Sequence, residues 1–295
     1  MIINLEDVYD QQGNVNEFVA DLISGSKQVR TLMNGLSITF QSLAAKANLV
    51  LSEVAKPGIY ISLLSPEKIA DVSNLSSWQL SLLESNKMGT FEIAKGETKT
   101  LVQVHISRDQ LAKALDEDSE SVSTILKQSI HKVGQNNIIR LPISTEMQAL
   151  TAPILQAQNK TSLSLLSQVY SLVFSTLEHI QMLNHLVQCQ DCQNRLFQAQ
   201  NIVEAEATNT LDEATLAESV GLNLTALELG IYHISGISIQ AYIDQIRAKL
   251  AAALVRQNTL SRSEMAARTG VAEDQFDALF LRHFGVPSVY YAQVH

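Results

Sequence analysis

Residues 211–255, LDEATLAESVGLNLTALELGIYHISGISIQAYIDQIRAKLAAALV, and residues 260–291, LSRSEMAARTGVAEDQFDALFLRHFGVPSVYY, repeat each other at an offset of 49 positions. Each copy contains a helix-sized segment, a Gly, a second helix-sized segment and another Gly. The matching positions are Leu216-Ala217 and Met265-Ala266, Gly221 and Gly270, Leu227 and Phe276, Ile231 and Phe280, Gly236 and Gly285, Tyr242 and Tyr291. The duplication predicts two helix-turn-helix units.

Helix-capping residues support this division of the two copies. Asp212 and Ser261 stand at N-cap positions, and Glu264 completes a capping box with Ser261. Gly221 and Gly270 suit the left-handed position that ends the first helix of each copy. The core-facing residues of the second helices are four apart, as one helix face requires; they are Leu227 and Ile231, then Phe276 and Phe280.

With the closing segment Phe284-Gly285-Val286-Pro287 and the pair Tyr290-Tyr291, these stretches resemble the DNA-binding domain of the AraC/XylS family of bacterial transcription regulators. Gly230 and the N-terminal half are similar to the siderophore-responsive subgroup, which includes the pyochelin regulator. The resemblance implies an α+β protein in two parts. We expect residues 1–195 to form a small cupin-like β-barrel that senses an effector and dimerises, helical from about 107. Residues 196–295 are expected to form an all-α domain with two helix-turn-helix units.

The second helix of each unit should enter the major groove of DNA. We expect the bases to be faced by Thr225, Glu228 and Gln275, and the phosphates by Arg247, Arg282 and His283. The family commonly carries Arg where this chain has Leu229 and Ala278. If both positions face the groove, replacing Leu229 and Ala278 by Arg should raise the affinity for nonspecific DNA.

The negative formal charge of residues 201–295 argues against strong binding of promoter DNA. Residues 201–295 hold six Lys and Arg against eleven Asp and Glu, a formal charge of −5 within the −9 of the whole chain. Affinity for DNA comes largely from cations that neutralise phosphates. The alternative is therefore a degenerate AraC-like regulator that no longer binds DNA directly. Such a protein would act through protein contacts, as a homodimer or with a heteromeric partner regulator.

Residues up to about 106 indicate short strands, because β-branched and aromatic segments alternate with turn residues. The predicted strands are Gly35–Leu43, Leu49–Val54, Ile59–Leu64, Trp78–Glu84, Thr90–Ala94 and Thr100–Ile106. Residues 5–30 fit either a helix or an extended lead-in. A small barrel holds one small ligand, and the resemblance implies a ferric siderophore. Tyr60, Trp78 and His105 are the candidate effector contacts, although packing residues are common at such positions. No resident cofactor or metal ion is expected.

From about residue 107 the spacing of apolar residues becomes helical. An apolar stripe at three- and four-residue steps runs from Leu163 to Leu183. Such a stripe usually packs inside its own domain. In AraC-like regulators, however, helices that follow the barrel commonly carry the dimer contact, and we expect dimerisation here.

Cys189 and Cys192, the two cysteines of the chain, form a CxxC pair. The pair fits a zinc site with His179 and His185 or a redox couple, but two incidental reduced thiols are the preferred interpretation. The sequence has no phosphate-binding Gly loop, nucleophile elbow or paired-His signature, so no enzyme is expected. It also lacks a secretory signal and a membrane-length apolar run, and a cytoplasmic protein without membrane contact is therefore expected.

Overall fold

The computed structural model divides the chain into two compact units, unit 1 (Met1–Asn184) and unit 2 (His185–His295). The backbone is described for residues 2–65, 77–83, 85–134, 138–155, 162–209 and 211–294. Unit 1 combines β-sheets with helices, and unit 2 is helical in its described part. The predicted α+β class with a helical C-terminal part is therefore confirmed.

Two sheets form the β part of unit 1 in the residues that the structure describes. The strands are β1 (Ile2–Asn4), β2 (Ile23–Met33), β3 (Leu36–Ala45), β4 (Leu49–Ala55), β5 (Gly58–Ser65), β6 (Ser77–Leu83), β7 (Lys87–Ile93), β8 (Thr98–Ile106) and β9 (Ile138–Pro142). One sheet has the order β2-β3-β8-β5-β6-β9, and the other has the order β1-β4-β7. The structure gives each predicted strand within a few residues, save that Glu84 lies outside the described residues. It adds β1, β2 and β9.

The expected closed barrel is wrong for the described residues. No ladder among them joins the edge strands β2 and β9, and β4 pairs with β1 and β7 instead of crossing to the larger sheet. Apolar side chains fill the space between the sheets, with Ile23 and Leu43 from the larger sheet meeting Leu49, Leu51 and Ile93 from the smaller one. The fold is thus a pair of open sheets packed over a shared core.

One face of the larger sheet is apolar at nearly every position. Cross-strand partners share a face of a sheet, and here the partners Ile38, Val104 and Ile61 are all buried. The row continues across β6 and β9 as Leu80 and Ile139. The alternation of buried and partly exposed residues along β8 follows from this one-sided burial.

The helices of unit 1 are α1 (Leu5–Val8), α2 (Arg108–Leu115), α3 (Ser119–Val133), α4 (Thr145–Leu155) and α5 (Ser162–Gln188), the last of which ends inside unit 2. Ser107 is the N-cap of α2, and Asp118 is the N-cap of α3. The stripe predicted along α5 is partly correct. Val173, Ile180 and Leu183 are buried, but Leu163 is 78% exposed.

Unit 2 contains α6 (Gln190–Glu206), α7 (Glu213–Ser219), α8 (Leu224–Ser235), α9 (Ile239–Gln257), α10 (Arg262–Thr269), α11 (Phe276–Phe284) and α12 (Ser288–Val294). We call α7 with α8 the first helix pair and α10 with α11 the second helix pair. Across the described part of both units, no helix has the length and apolar character that crossing a membrane demands.

Candidate nucleic-acid interface

The first helix pair is held in place by two capping side chains and one Gly. Asp212 accepts a hydrogen bond from the backbone N–H of Thr215 (2.8 Å) and starts α7. Gly221 follows α7 with φ of +70°, a left-handed conformation that residues with a Cβ rarely adopt. Asn223 then caps α8 through the N–H of Ala226 (2.7 Å). The chain therefore turns sharply between the two helices, as the sequence predicts.

The second helix pair reaches a similar arrangement with a different set of caps. Ser261 and Glu264 form the predicted capping box, and Gly270 ends α10 with φ of +68°. A 3₁₀ turn over Glu273–Gln275 then leads into α11, which lacks a side-chain cap at Gln275.

Helix α9 belongs to the cores of both pairs. Its N-terminal residues Ile239 and Ile243 pack with Leu227 and Ile231 of the first pair. Its C-terminal residues pack with the aromatic core of the second pair, the members of which are Ala248, Ala251, Ala252, Val255, Phe276 and Phe280. A single helix thus fixes the two pairs relative to each other within unit 2.

Gly230 marks a close contact inside the first pair. A Cβ atom at this position would clash with the side chain of Leu196 on α6. The absence of a side chain therefore lets α8 approach α6, which explains the Gly in physical terms.

One position that was predicted to face the groove is buried, whereas the other predicted positions are exposed or half-buried. Leu229 is 1% exposed, so it lies in a core instead of on an outer face. Thr225 and Glu228 are half-buried on α8, whereas Gln275 is exposed and Ala278 is half-buried. The expectation that Arg at Leu229 would reach DNA is wrong, because the helix turns this position inward.

Asp277, in the first turn of α11, has a structural role. Its carboxylate accepts hydrogen bonds from the N–H (3.1 Å) and the hydroxyl (2.6 Å) of Ser288, and it forms an ion pair with Arg262 at 3.0 Å. The hydrogen bond from the Ser288 side chain is the main reason that the pKa of Asp277 lies below its ordinary value. This contact ties the start of α12 to α11.

Arg247 and Arg282 meet around one carboxylate. Arg282 donates to Asp244 at 2.8 Å, and Arg247 lies 3.9 Å from the same side chain. Arg247 is 15% exposed and donates to the carbonyl oxygens of Ala207 (2.7 Å) and Asn209 (3.1 Å). Arg282, by contrast, is 61% exposed. The guanidinium of Arg247 therefore holds the loop after α6, and Arg282 is the more accessible of the two cations.

His283 adds little positive charge to this patch. Burial lowers the pKa of His283, so its imidazole is neutral at pH 7. Its Nε2 atom is buried and has no hydrogen-bond partner among the described residues. Of the three predicted phosphate contacts, the structure brings Arg247 and Arg282 together and leaves Arg282 as the exposed cation.

The three effector candidates of unit 1 do not lie on one face of the sheet. Tyr60 and His105 are cross-strand partners whose ring centroids are 4.7 Å apart. Trp78 pairs with Leu63, which is on the opposite, apolar face, and it is 1% exposed. Its Nε1 atom has no hydrogen-bond partner in the described part of the chain. Trp78 is therefore separated from the other two candidates by the sheet itself.

The face that carries Tyr60 and His105 is polar. The hydroxyl of Tyr60 donates to the carbonyl oxygen of Lys56 (2.9 Å), and Nε2 of His105 lies 3.1 Å from the carbonyl oxygen of Pro57. Burial raises the pKa of Tyr60 and lowers the pKa of His105, so both rings are neutral near pH 7. Next to them, Gln103 donates to the hydroxyl of Ser62 (3.0 Å). This face offers uncharged hydrogen-bonding groups beside an aromatic pair.

Cys189 and Cys192 are joined by a disulfide, which corrects the preferred interpretation of two reduced thiols. The zinc set that included His179 is also wrong, because His179 is buried and lies 3.3 Å from Glu146 within unit 1. His185 remains beside the cysteines, with Nε2 3.6 Å from Sγ of Cys192. The CxxC spacing predicted that the two cysteines lie close together. Only the tertiary structure shows that His179 is not part of this cluster.

No family model and no curated protein matches this chain. Three solved structures illustrate what it is similar to. The C-terminal domain of AraT, a response regulator from Geobacillus stearothermophilus, is 23% identical over 34% of this chain and 85% of its own, with a TM-score of 0.33. An AraC-type transcriptional regulator from Chromobacterium violaceum is 22% identical over 34% and 91%, with a TM-score of 0.33. ToxT from Vibrio cholerae is 14% identical over 87% and 98%, with a TM-score of 0.30. Similarity at this level carries no argument about function.

Proposed function

We propose that this protein is an effector-responsive transcription regulator of the AraC type, in which the two helix pairs of unit 2 are helix-turn-helix units that bind promoter DNA. One observation carries the proposal. The helix pairs repeat at a fixed offset, and α9 contributes to the cores of both. An arrangement of two short helix pairs on one rigid connector is suited to presenting two helices to one ligand surface.

The length of α9 supports a DNA ligand. It contains 19 residues, and at 1.5 Å per residue this corresponds to about 28 Å. Successive turns of the major groove on one side of DNA are about 34 Å apart. Two second helices held at the ends of such a connector would therefore reach neighbouring segments of the major groove.

In this proposal α8 presents Thr225 and Glu228 to the bases, and the 3₁₀ turn before α11 presents Gln275. Arg282 is the proposed phosphate contact, because it is exposed at the end of α11. A phosphate would compete with Asp244 for its guanidinium. Arg247 and His283 would act beside it, one by holding the loop after α6 and the other as a neutral neighbour.

A salt titration of binding to duplex DNA tests the proposal. Removing one cation that neutralises a phosphate should reduce the slope of log K against log salt by about 0.9. We expect the full chain to bind promoter DNA with a negative slope and Arg282→Gln to bind with a shallower one. Lys113→Gln, which removes an exposed cation from unit 1, is the matched control and should keep the slope. If both variants keep the slope of the unmodified chain, Arg282 does not bind a phosphate.

A second function is favoured by the acidic character of the same surfaces. Helix α8 contains no Lys or Arg. The 3₁₀ turn before α11 contains Glu273 and Asp274, and the first turn of α11 contains Asp277. A degenerate regulator would use these helices for contact with a protein, either a second copy or a heteromeric partner regulator. The absence of DNA binding at the lowest salt, together with a dimer in sedimentation equilibrium, would support this second function over the first.

The polar face of unit 1 is the proposed effector surface. Tyr60 and His105 offer neutral hydrogen-bonding groups there, whereas Trp78 belongs to the apolar face and would act through packing. The proposed effector is a small molecule of the ferric siderophore class. Isothermal titration with a ferric siderophore should give a stoichiometry of one per chain, and His105→Gln should weaken the binding. Unchanged binding by this variant would place the effector elsewhere.

A further inference from the structure

The first turn of α6 and the last turn of α5 bring three metal-binding atoms together. Sγ of Cys189, Sγ of Cys192 and Nε2 of His185 all lie within 4.8 Å of one another. In the described structure the two sulfurs form a disulfide. Thiolate and imidazole are the ligands that Zn²⁺ and other thiophilic ions prefer.

We propose that reduction of the Cys189–Cys192 disulfide creates a three-ligand site for a thiophilic metal ion, with Zn²⁺ as the reference ion. A dithiol reductant supplies two electrons and two protons, the S–S bond breaks, and the reductant becomes a disulfide. When the metal ion binds, it displaces the two thiol protons into solvent. His185 supplies the third ligand, and water fills the fourth position, as in open zinc sites.

The distance between imidazole and sulfur fits this chemistry. Nε2 of His185 lies 3.6 Å from Sγ of Cys192. In a tetrahedral zinc site, with a Zn–S bond of about 2.3 Å and a Zn–N bond of about 2.05 Å, the nitrogen and sulfur atoms are about 3.6 Å apart. The imidazole is therefore already at the separation from Cys192 that a shared ion would require, and the sulfur of Cys189 has to move away from Cys192.

The backbone around the cysteines favours negatively charged sulfur. Cys189 is the N-cap of α6, and its Sγ accepts a hydrogen bond from the N–H of Cys192 at 3.1 Å. The N-terminus of a helix stabilises a thiolate through its unpaired N–H groups and its dipole. Asp191, the nearest acidic residue in the sequence, is engaged by Arg195 at 2.7 Å. The three ligands named above thus form the site without it.

Exposure makes the site accessible to an ion and to a reductant. His185 is exposed, and both cysteines are half-buried. Because the chain has no other cysteine, thiol measurements report on this pair alone. The site uses one residue from the end of α5 and two from the start of α6, and all three residues belong to unit 2.

Zinc competition with a chromogenic chelator tests the proposal on the full chain. The reduced protein should bind one Zn²⁺ per chain, and the oxidised protein should bind none. Loss of an outer partner of a metal ligand already weakens binding by about 10–100-fold, so His185→Gln should lose at least tenfold. His131→Gln, which changes an exposed histidine in unit 1, is the control and should bind as the unmodified chain does.

Cys189→Ser separates metal binding from folding. Serine is a favoured N-cap, so this variant keeps the cap of α6 while it loses a thiolate. We expect an unchanged helical content by circular dichroism and a loss of zinc binding. The proposal fails if the reduced unmodified chain does not compete with the chelator. It also fails if His185→Gln retains the zinc affinity of the unmodified chain, because the imidazole is then no ligand.

Discussion

The two helix pairs of unit 2 share a backbone plan but differ in the side chains at equivalent positions. The first pair has an aliphatic core around Leu227 and Ile231, and the second has an aromatic core in which Phe280 contacts the rings of Phe276 and Tyr291. The offset of 49 positions allows each difference to be examined one residue at a time. The two pairs thus keep the same turns and the same helix spacing, although equivalent side chains differ in their burial.

Leu229 and Ala278 are equivalent positions that differ in burial, and they give the largest expected effect. Leu229 is 1% exposed, whereas Ala278 is half-buried on α11. An unpaired charge inside a core costs about 3–5 kcal/mol. We expect Leu229→Arg to destabilise unit 2 by an amount of that order, as measured by urea unfolding of the full chain.

Ala278→Arg is the comparison variant, and it should fold with nearly unchanged stability. If the proposed DNA interface is correct, this added cation on α11 should raise the affinity for duplex DNA at low salt. Equal stability of the two Arg variants would show that both positions face solvent, against the burial of Leu229.

The turn glycines give the next largest difference. Gly221 and Gly270 both have left-handed φ, but an added Cβ would meet different neighbours. At Gly221 the neighbour is the flexible side chain of Arg195, and at Gly270 it is the backbone carbonyl of Thr208. Left-handed backbone costs a residue with a side chain about 1–2 kcal/mol. Gly270→Ala should therefore cost more than Gly221→Ala, by about 1 kcal/mol or more.

Hydrogen exchange of the full chain measures this difference locally. Gly270→Ala should reduce protection in α10 and α11, while Gly221→Ala should have a smaller effect confined to α7 and α8. Gly236→Ala, at a left-handed position without a neighbour within 4 Å among the described residues, isolates the conformational cost. A larger effect at Gly221 than at Gly270 would contradict the assigned contacts.

Glu228 and Asp277 are also equivalent, and Asp277 caps α12 through Ser288. Because the fold lowers the pKa of Asp277, its ionised form contributes stability above the ordinary carboxyl value of 3.8. That stability is lost as the pH falls through the lowered pKa. Asp277→Asn should destabilise the chain by about 1 kcal/mol at pH 7.

A series of urea midpoints from pH 7 to pH 3 tests this contribution. The difference between the unmodified chain and Asp277→Asn should narrow as the carboxylate becomes protonated. Ser288→Ala removes the hydrogen bond of the hydroxyl from the other side and should show the same pH dependence. A difference that stays constant with pH would mean that the charge of Asp277 is not involved.

Local signals in the sequence were sufficient to predict much of this architecture. Gly221, Gly270, Asp212 and the Ser261 capping box define helix ends through contacts within a few residues, and the structure has each of them in place. The alternating strands of unit 1 were predictable for a similar reason, because burial on one face leaves a period of two in the sequence.

These local signals could not predict tertiary contacts. Apolar residues at 227, 229 and 231 occupy more than one face of α8, so the pattern could not show that Leu229 is buried. The bonds between Asp277 and Ser288, and the separation of Tyr60 from Trp78 by the sheet, depend on pairings that spacing does not specify. Closure of a barrel likewise depends on the partners of the edge strands.

Arg282 gives the smallest expected effect on stability. It corresponds to His233 in the first pair and forms an ion pair with Asp244. With 61% of its side chain exposed, an ion pair of this kind contributes about 0–1 kcal/mol. We therefore expect Arg282→Gln to shift the urea midpoint hardly at all, and high salt to abolish the remaining difference. A large loss of stability would instead mean that Arg282 is needed to hold α9 against α11, and the reduced salt slope of this variant could then no longer be attributed to the absence of a phosphate-binding cation.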